Sequence, residues 1–283
     1  MKLLRYGPKG QEKPGLLDAD GNVRSLAAHT TDIDGAFLAN GLAALQAIDP
    51  ASLPLVPADE ASRIAEPVAG VGKFLCIGLN YSDHAAESGM APPPEPILFM
   101  KATSAIIGPN DDVVLPPTSA KSDWEVELGV VIGKEARYVP LDEALDHVAG
   151  LCVVNDLSER EYQLERAGTW DKGKGCDTFG PFGPWLVTLD EIADIGNLDM
   201  WLDLNGERMQ TGNSSTMIFA VPYLVHYLSQ FMSLQPGDVI STGTPPGVGM
   251  GKKPPRFLKE GDVIELAIDG LGTQRQVVRR YGA

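Results

Sequence analysis

The chain has 283 residues, of which 43% are hydrophobic and 22% are charged, and its formal net charge at pH 7 is −15. This composition is sufficient for a globular core, while the negative charge disfavours nucleic acid and anionic membrane surfaces as partners. Neither a signal peptide nor an apolar run long enough to span a membrane is visible in the sequence, so we expect a cytoplasmic protein that binds neither nucleic acid nor membranes.

The first part of the chain is predicted to form a small β-rich domain. Two strands and a helix are predicted there, at residues 1–6, 13–17 and 37–48. Four prolines between residues 50 and 67 then interrupt the sequence, as is typical of a boundary between domains. We therefore predict a small N-terminal domain over residues 1–69 and a main domain over residues 70–283.

The main domain is predicted to consist mostly of strands. Apolar or alternating runs predict strands at residues 74–78, 97–100, 124–132, 151–155 and 198–204. Other patterns predict a proline-rich loop at residues 89–96, a short helix at residues 141–147 and a longer helix at residues 219–231. Since strands and helices do not alternate regularly, we predict a β-rich α+β fold built on mixed or antiparallel sheets.

Glu125 and Glu127 occupy alternate positions of one predicted strand, so their carboxylates project from the same face. Asp156 directly follows the apolar run at residues 151–155. Three carboxylates are suited to Mg²⁺ or Mn²⁺, whereas thiolates or imidazoles would indicate zinc. An isolated pair of alternating glutamates is also typical of a solvated strand edge, so a metal site depends on further features.

His84 and Glu87 lie one helical turn apart, where a carboxylate can orient an imidazole or share its proton. This spacing is the outline of a general-base pair, and its alternative is an ordinary pair on a helix surface. Arg160 and Gln163 follow Asp156 at spacings that would bring the three side chains near one face of a helical turn.

Lys174 lies in a glycine-rich segment that is predicted to be a loop at residues 170–181. Glycines let the backbone approach a ligand closely, and a lysine in such a loop can hold a carboxylate or an oxyanion. The alternative is an exposed loop lysine without a ligand.

Six segments of the sequence, taken in chain order, resemble the fumarylacetoacetate hydrolase (FAH) family. They are GLNYSDHAAE at 78–87, EVELGVVIG at 125–133, NDLSER at 155–160, GKG at 173–175, SSTMI at 214–218 and TGTPPGVG at 242–249. Each segment is weakly specific alone, but the ordered set is highly specific and extends over about residues 70–283. The shorter first part is similar to the small N-terminal domain of bacterial members.

The resemblance implies the mixed β-sandwich roll of this family, often assembled as a homodimer, and an active site that uses Mg²⁺ or Mn²⁺. By position in the motifs, the metal ligands would be Glu125, Glu127 and Asp156. The catalytic residues would be His84, Glu87 and Lys174, with the first two activating water and the lysine stabilising an oxyanion. The substrate-binding residues would be Arg160, Gln163 and Thr244, of which the threonine would hold a substrate carboxylate.

Residues 170–185 and the chain length are most similar to a bacterial subgroup named as 2,4-diketo-3-deoxy-sugar-acid hydrolases or ureidoglycolate lyases. The resemblance thus implies a small anionic keto acid as substrate, such as 2,4-diketo-3-deoxy-L-rhamnonate or L-fuconate. Hydrolysis of its C–C bond would release pyruvate and lactate. Oxaloacetate decarboxylases, acylpyruvases and 2-hydroxyhepta-2,4-diene-1,7-dioate isomerases of the same family are alternatives, as is a non-catalytic binding protein.

Overall fold

The computed structural model describes residues 1–87 and 89–282, and strands predominate over helices in this part of the chain. The strands are β1 (Lys2–Tyr6), β2 (Lys13–Leu17), β3 (Val23–Ser25), β4 (Ile64–Ala65), β5 (Phe74–Gly78), β6 (Ile97–Lys101), β7 (Ile106–Ile107), β8 (Val113–Leu115), β9 (Ser122–Asp123), β10 (Val126–Ile132), β11 (Val148–Asn155), β12 (Ser158–Glu159), β13 (Gly180–Thr188), β14 (Asp199–Leu204), β15 (Glu207–Asn213), β16 (Val239–Ser241), β17 (Val263–Ile268) and β18 (Gly272–Arg280). The α-helices are α1 (Gly35–Asn40), α2 (Leu42–Leu45), α3 (Ser82–Glu87), α4 (Asp171–Lys174) and α5 (Val221–Ser229). Short 3-10 helices and a π-helical turn at Glu161–Glu165 lie between them.

Two large sheets form the framework. An 11-stranded mixed sheet follows the order β3-β2-β1-β13-β11-β10-β16-β5-β6, with β4 beside β1 and β7 beside β13. A five-stranded sheet follows the order β15-β14-β17-β18-β8. Apolar side chains of both sheets, among them Leu128, Leu202 and Leu266, meet in one buried core. The prediction of a β-rich α+β fold with mixed sheets is confirmed.

Strand β10 is buried along its whole length because both of its faces are covered. Val126, Leu128 and Val130 point into the core between the two sheets. The alternate face of the strand carries Val131, which packs in a second core with residues of the N-terminal segment. A glutamate at the alternate position Glu127 is therefore enclosed by protein on a face that the sequence pattern alone left open to solvent.

The N-terminal segment shares its sheet with the rest of the chain. Strand β1 pairs with β13 through Leu3 and Leu186, and both leucines belong to the second core. The division at residue 70 stays a prediction, although the backbone pairing runs across it.

The predicted helix at residues 37–48 is wrong in its extent, because α1 and α2 separate at Gly41. The Phe37 ring covers Gly41 so closely that a Cβ atom there would lie 2.5 Å from it.

The other predicted elements differ from the structure mainly at their ends. The longer helix is α5, which begins at Val221, and residues 141–147 form a 3-10 helix. Residues 89–96 contain neither helix nor strand, as expected from their prolines. The segment 170–181, predicted to be a loop, contains the short helix α4. Every helix in residues 1–87 and 89–282 is too short or too polar to span a lipid bilayer.

Candidate metal centre and active site

The three predicted metal ligands meet where two adjacent strands end at the centre of the large sheet. Strands β10 and β11 are antiparallel, and the first residue of β10, Val126, lies opposite Asn155 at the end of β11. The backbone N–H of Asp156 donates to the carbonyl oxygen of Glu125 at 2.9 Å. Antiparallel pairing therefore brings Asp156 beside two glutamates that are distant from it in sequence.

The oxygen atoms of this carboxylate triad are close enough to share one cation. One carboxylate oxygen from each of Glu125, Glu127 and Asp156 lies within 4.8 Å of the other two. The three residues are 5%, 2% and 0% exposed, so water screens their charges poorly. A buried set made only of oxygen donors suits a hard divalent ion such as Mg²⁺ or Mn²⁺.

Three buried cations surround the triad. The Nζ atom of Lys174 donates to Glu125 at 2.5 Å and to Asp156 at 2.7 Å. Arg160 donates to another oxygen of Glu125 at 2.6 Å. The ammonium group of Lys101 forms a short ion pair with Asp156.

The charges in this cluster do not balance. Arg160 also pairs with the buried Asp123 at 2.9 Å, so four carboxylates face three cations. Within residues 1–87 and 89–282, Glu127 has no ion pair within 4.0 Å; it accepts instead from the Ser241 hydroxyl at 2.5 Å and from the Gly243 N–H at 2.9 Å. With all four carboxylates ionised, the cluster would carry one uncompensated negative charge, which a bound divalent cation would offset.

The pKa values of the two glutamates move in opposite directions. Burial opposes ionisation of Glu125, but Lys174 and Arg160 outweigh it and lower the pKa of this carboxyl to about 2. Burial raises the pKa of Glu127 well above its ordinary value, and the charges of Asp156 and Glu125 add to the effect. The pKa of Lys174 is raised because these carboxylates outweigh its burial, so its ammonium group stays charged.

His84 and Glu87 form the predicted pair on α3. The Nδ1 atom of His84 lies 3.2 Å from Glu87 Oε2. The backbone N–H of Gly247 donates to the same carboxylate at 3.1 Å. This contact joins α3 to the segment that carries Thr244. Glu87 thus orients His84 through one ring nitrogen, and Glu87 is itself oriented by the loop at Gly247, which is distant in sequence.

The substrate-binding residues predicted from the sequence also lie together, but not on a helical turn. Asp156 precedes strand β12, where Ser158 pairs with Asp123 of β9, whereas Arg160 caps the π-helical turn that contains Gln163. The expectation of one helical face was therefore wrong. The three-dimensional result is similar, since Arg160 Nη1 donates to Gln163 Oε1 at 3.0 Å.

Thr244 is fixed by the strands that carry the triad. Its hydroxyl donates to the carbonyl of Val126 at 2.9 Å and accepts from Gln210 Nε2 at 2.8 Å. The carbonyl oxygen of the Gln210 side chain accepts from the N–H of Val126 at 2.9 Å. The threonine is thus oriented by two contacts to protein, with the methyl group and one lone pair left for a ligand.

Sequence reasoning missed two buried charged residues of the site, Lys101 and Asp123. Lys101 ends the apolar strand β6, and its ammonium group also donates to the Leu157 carbonyl at 2.9 Å. Asp123 accepts from Arg160 and from the N–H of Gly249 at 2.6 Å. The available signal was a charged residue next to an apolar run. Charged residues are seldom buried unless they are paired, so such a position indicates a buried ion pair.

A cavity of about 410 Å³ opens onto these side chains. Its lining contains every residue assigned to the site from the sequence except Glu87 and Asp156. A larger cavity of about 700 Å³ lies elsewhere, lined by residues such as Lys252, Arg256 and Lys259, and contains none of the predicted residues. The smaller cavity is the candidate active site because the convergent charged groups lie there.

Gly173 allows Lys174 to reach the triad. A Cβ atom at Gly173 would lie 2.4 Å from the Glu159 carbonyl oxygen and 2.6 Å from the Gln163 N–H nitrogen, so α4 packs against backbone. We expect Gly173→Ala to lower the free energy of unfolding by about 2–3 kcal/mol and to displace Lys174. Urea denaturation measures the first effect, with Gly196→Ala in an exposed turn as control. An unchanged urea midpoint for Gly173→Ala would show that α4 can move to accommodate the methyl group without loss of stability.

The chain was compared with known proteins. Residues 73–279 match the family model described as the C-terminal region of fumarylacetoacetate hydrolase. A Burkholderia lata protein named in general terms as a hydrolase is 62% identical over 281 residues, covering 99% of both chains. The structure of fumarylacetoacetate hydrolase from the psychrophile Exiguobacterium antarcticum has a TM-score of 0.88 and 33% identity, covering 99% of both chains.

Two further solved structures carry different activity names. A 2-hydroxyhepta-2,4-diene-1,7-dioate isomerase from Mycobacterium marinum has a TM-score of 0.77 and 30% identity over 100% of both chains. A maleylpyruvate hydrolase from Sphingobium sp. SYK-6, solved with manganese(II) and pyruvate, has a TM-score of 0.77 and 28% identity over 99% of both chains. Proteins of this architecture and similarity therefore include hydrolases and isomerases.

Proposed function

The chain belongs to the fumarylacetoacetate hydrolase family, and from that premise we propose that it is a divalent-metal-dependent hydrolase of 2,4-diketo acids that releases pyruvate. The observation that carries the proposal is the buried triad of Glu125, Glu127 and Asp156, of which the two glutamates line one cavity with His84. A metal ligand set and a candidate base thus face the same space, as hydrolysis beside a 2-oxo acid requires. The similar maleylpyruvate hydrolase was solved with manganese(II) and pyruvate, which supports both the bound metal and the release of pyruvate in this proposal.

The triad would hold Mg²⁺ or Mn²⁺, which supplies Lewis acidity toward the carboxylate and 2-oxo oxygens of the substrate. Lys174 and Arg160 remain protonated beside the triad and attract the substrate anion. Thr244, oriented by Gln210, would contact the substrate carboxylate by turning its hydroxyl proton from the Val126 carbonyl to the ligand. These residues place the 2-oxo acid end of the substrate at the buried end of the cavity.

His84 would act as the general base on water, with Glu87 holding its Nδ1 atom. The water oxygen bonds to the C4 carbonyl carbon while its proton passes to the imidazole. Lys174 stabilises the negative charge on the C4 oxygen. The C3–C4 bond then breaks, its electron pair forms the enolate of pyruvate, and C3 takes up a proton from the imidazolium. Pyruvate and a carboxylic acid leave.

The sugar acids 2,4-diketo-3-deoxy-L-rhamnonate and L-fuconate belong to this substrate class, and their hydrolysis to pyruvate and lactate is the more specific proposal that the sequence motifs support. Isomerisation is the second candidate, since the 30% identical Mycobacterium marinum protein bears that name. Enolate stabilisation beside the triad would serve this reaction and oxaloacetate decarboxylation as well, without attack by water.

The proposal is tested by measuring pyruvate release from L-5-hydroxy-2,4-dioxohexanoate, the compound that both sugar-acid names describe, from 2,4-dioxopentanoate and from oxaloacetate. Each reaction is run with Mg²⁺, with Mn²⁺ and with EDTA, and pyruvate is detected with lactate dehydrogenase. We expect metal-dependent release from at least one diketo acid. Turnover of oxaloacetate alone would show a decarboxylase, and absorbance change on 2-hydroxyhepta-2,4-diene-1,7-dioate without pyruvate release would show an isomerase.

A homodimer in the cytoplasm, without nucleic acid or membrane partners, remains part of the proposal. Sedimentation velocity distinguishes the 30.2 kDa chain from a particle of twice that mass. A single species at the mass of one chain would contradict the dimer.

A further inference from the structure

The polar side chains of the cavity lie at its buried end, and the remainder of its lining is apolar. Among the described residues of the lining, the side chains that carry a charge, an imidazole, an amide or a hydroxyl are all ones assigned above to catalysis, metal or substrate binding. The other large side chains of the lining are Ile77, Leu79, Met90, Phe99, Leu164, Trp170, Val248 and Met250. Beyond these polar residues, the described side chains that a bound substrate would meet are hydrocarbon, thioether and aromatic.

Phe99 marks the change from the charged end to the apolar end. The Nζ atom of Lys174 lies 5.0 Å from the centre of the Phe99 ring, and the Trp170 ring meets the same ring edge-to-face at 5.3 Å. Trp170 in turn lies against Gly78, where a Cβ atom would be 2.5 Å from the indole. A glycine on β5 thus makes room for an aromatic wall next to the catalytic lysine.

The mouth of the cavity is an exposed apolar rim, formed by Met90, Leu164 and Met250. They are 52%, 50% and 40% exposed, and they are three of the nine large hydrophobic side chains that are exposed within residues 1–87 and 89–282. Exposed apolar side chains that gather around one opening mark a binding surface. The thioethers of two of them can adapt to chains of different shape.

Resting on the proposed hydrolase activity but not on its sugar-acid substrates, we propose that the group attached to C4 of the diketo acid is an apolar chain or ring. The rim, Phe99 and Trp170 select it over the hydroxyethyl group of the sugar acids. A cavity of about 410 Å³ lies in the range that encloses ligands larger than a five-carbon diketo acid. Among the described residues that line this part of the cavity, only the Trp170 indole offers a polar side-chain group, so a hydroxylated tail loses water on entry without gaining other side-chain partners there. Leu164 and Met250 are thereby specificity-determining residues.

The test compares two substrates that differ by one oxygen atom. The diketo sugar acid 5-hydroxy-2,4-dioxohexanoate is the hydroxylated form of 2,4-dioxohexanoate. We expect kcat/KM for the compound without the hydroxyl to be about 10-fold higher. Along the series from 2,4-dioxopentanoate to 2,4-dioxodecanoate, we expect kcat/KM to rise about threefold per methylene until the cavity is filled. A flat series, or a preference for the hydroxylated compound, would overturn the proposal.

A pair of matched variants assigns the effect to the rim. Leu164→Asn should lower the ratio of kcat/KM for 2,4-dioxooctanoate to that for 2,4-dioxopentanoate by about 10-fold. Leu141 is 49% exposed, as Leu164 is 50% exposed, but it lies outside the cavity lining. Leu141→Asn should therefore leave the ratio unchanged. An equal effect of both substitutions would remove Leu164 from specificity.

Failure of the tail proposal and failure of the proposed function give different results. If no diketo acid releases pyruvate, the hydrolase assignment is wrong, and binding decides the tail question. Calorimetric titration with pyruvate, 2-oxohexanoate and 2-oxooctanoate in the presence of Mn²⁺ would then show tighter binding of the longer acids if the rim holds an apolar tail. Equal affinity for the three acids would refute the apolar tail as well.

Discussion

Replacing Glu125 with glutamine is expected to lower both Mn²⁺ affinity and pyruvate release by at least about 100-fold. The substitution removes one ligand charge and leaves Lys174 and Arg160, which lie 2.5 Å and 2.6 Å from this carboxylate, without their shared partner. Because breaking a buried ion pair from one side is costly, we also expect a loss of about 3 kcal/mol in the free energy of unfolding. Calorimetry with Mn²⁺, pyruvate kinetics and urea denaturation measure the three effects.

Glu127→Gln separates the loss of metal from the loss of stability. Glu127 has no ion pair among the described residues, and its raised pKa shows that burial of its charge is unfavourable. A glutamine can still accept from Ser241 and Gly243. We therefore expect this variant to lose Mn²⁺ and turnover while its metal-free form unfolds at the same urea concentration as the wild type or a higher one. Glu143→Gln on the exposed surface is the control for both variants. Full turnover by Glu125→Gln or Glu127→Gln would refute the metal centre.

His84→Ala is expected to lower diketo-acid hydrolysis by about 10²-fold to 10⁴-fold, the usual contribution of a general base. Decarboxylation of oxaloacetate requires no attack by water, so we expect any such activity of the wild type to be retained in the variant. The substitution removes the imidazole whose Nδ1 is held by Glu87 at 3.2 Å and leaves the triad unchanged. Parallel assays of the two reactions, at saturating Mn²⁺, measure the difference.

The exposed His29 provides the matched histidine control, and His29→Ala should leave hydrolysis unchanged. Equal losses of hydrolysis and decarboxylation in His84→Ala would contradict the separation of water attack from enolate formation. The imidazole would then have to act in a step common to both reactions. Unimpaired hydrolysis would remove His84 from the mechanism altogether.

Much of the architecture followed from local patterns. Strand β5 and strand β2 have the predicted ends, because short apolar or alternating runs between turn residues leave few other conformations. The helix predicted at residues 37–48 is interrupted at Gly41, which caps the end of α1 and the start of α2, and glycine is a weak helix former. The helical turn predicted after Asp156 failed because Ser158 finds a strand partner in β9.

The sequence by itself determined which chemical groups are available: Glu125, Glu127 and Asp156 as oxygen donors, and His84 with Glu87 as a pair within one helix. Motif order and local spacing carry that information because it depends on neighbours in the chain. Only the tertiary structure decided that Lys101 and Asp123 belong to the same charged cluster, that Glu127 has no ion pair with any described residue, and that the cavity ends in an apolar rim. These properties arise where distant strands and loops meet, and burial then sets the strength of every charge and the cost of every unpaired polar group.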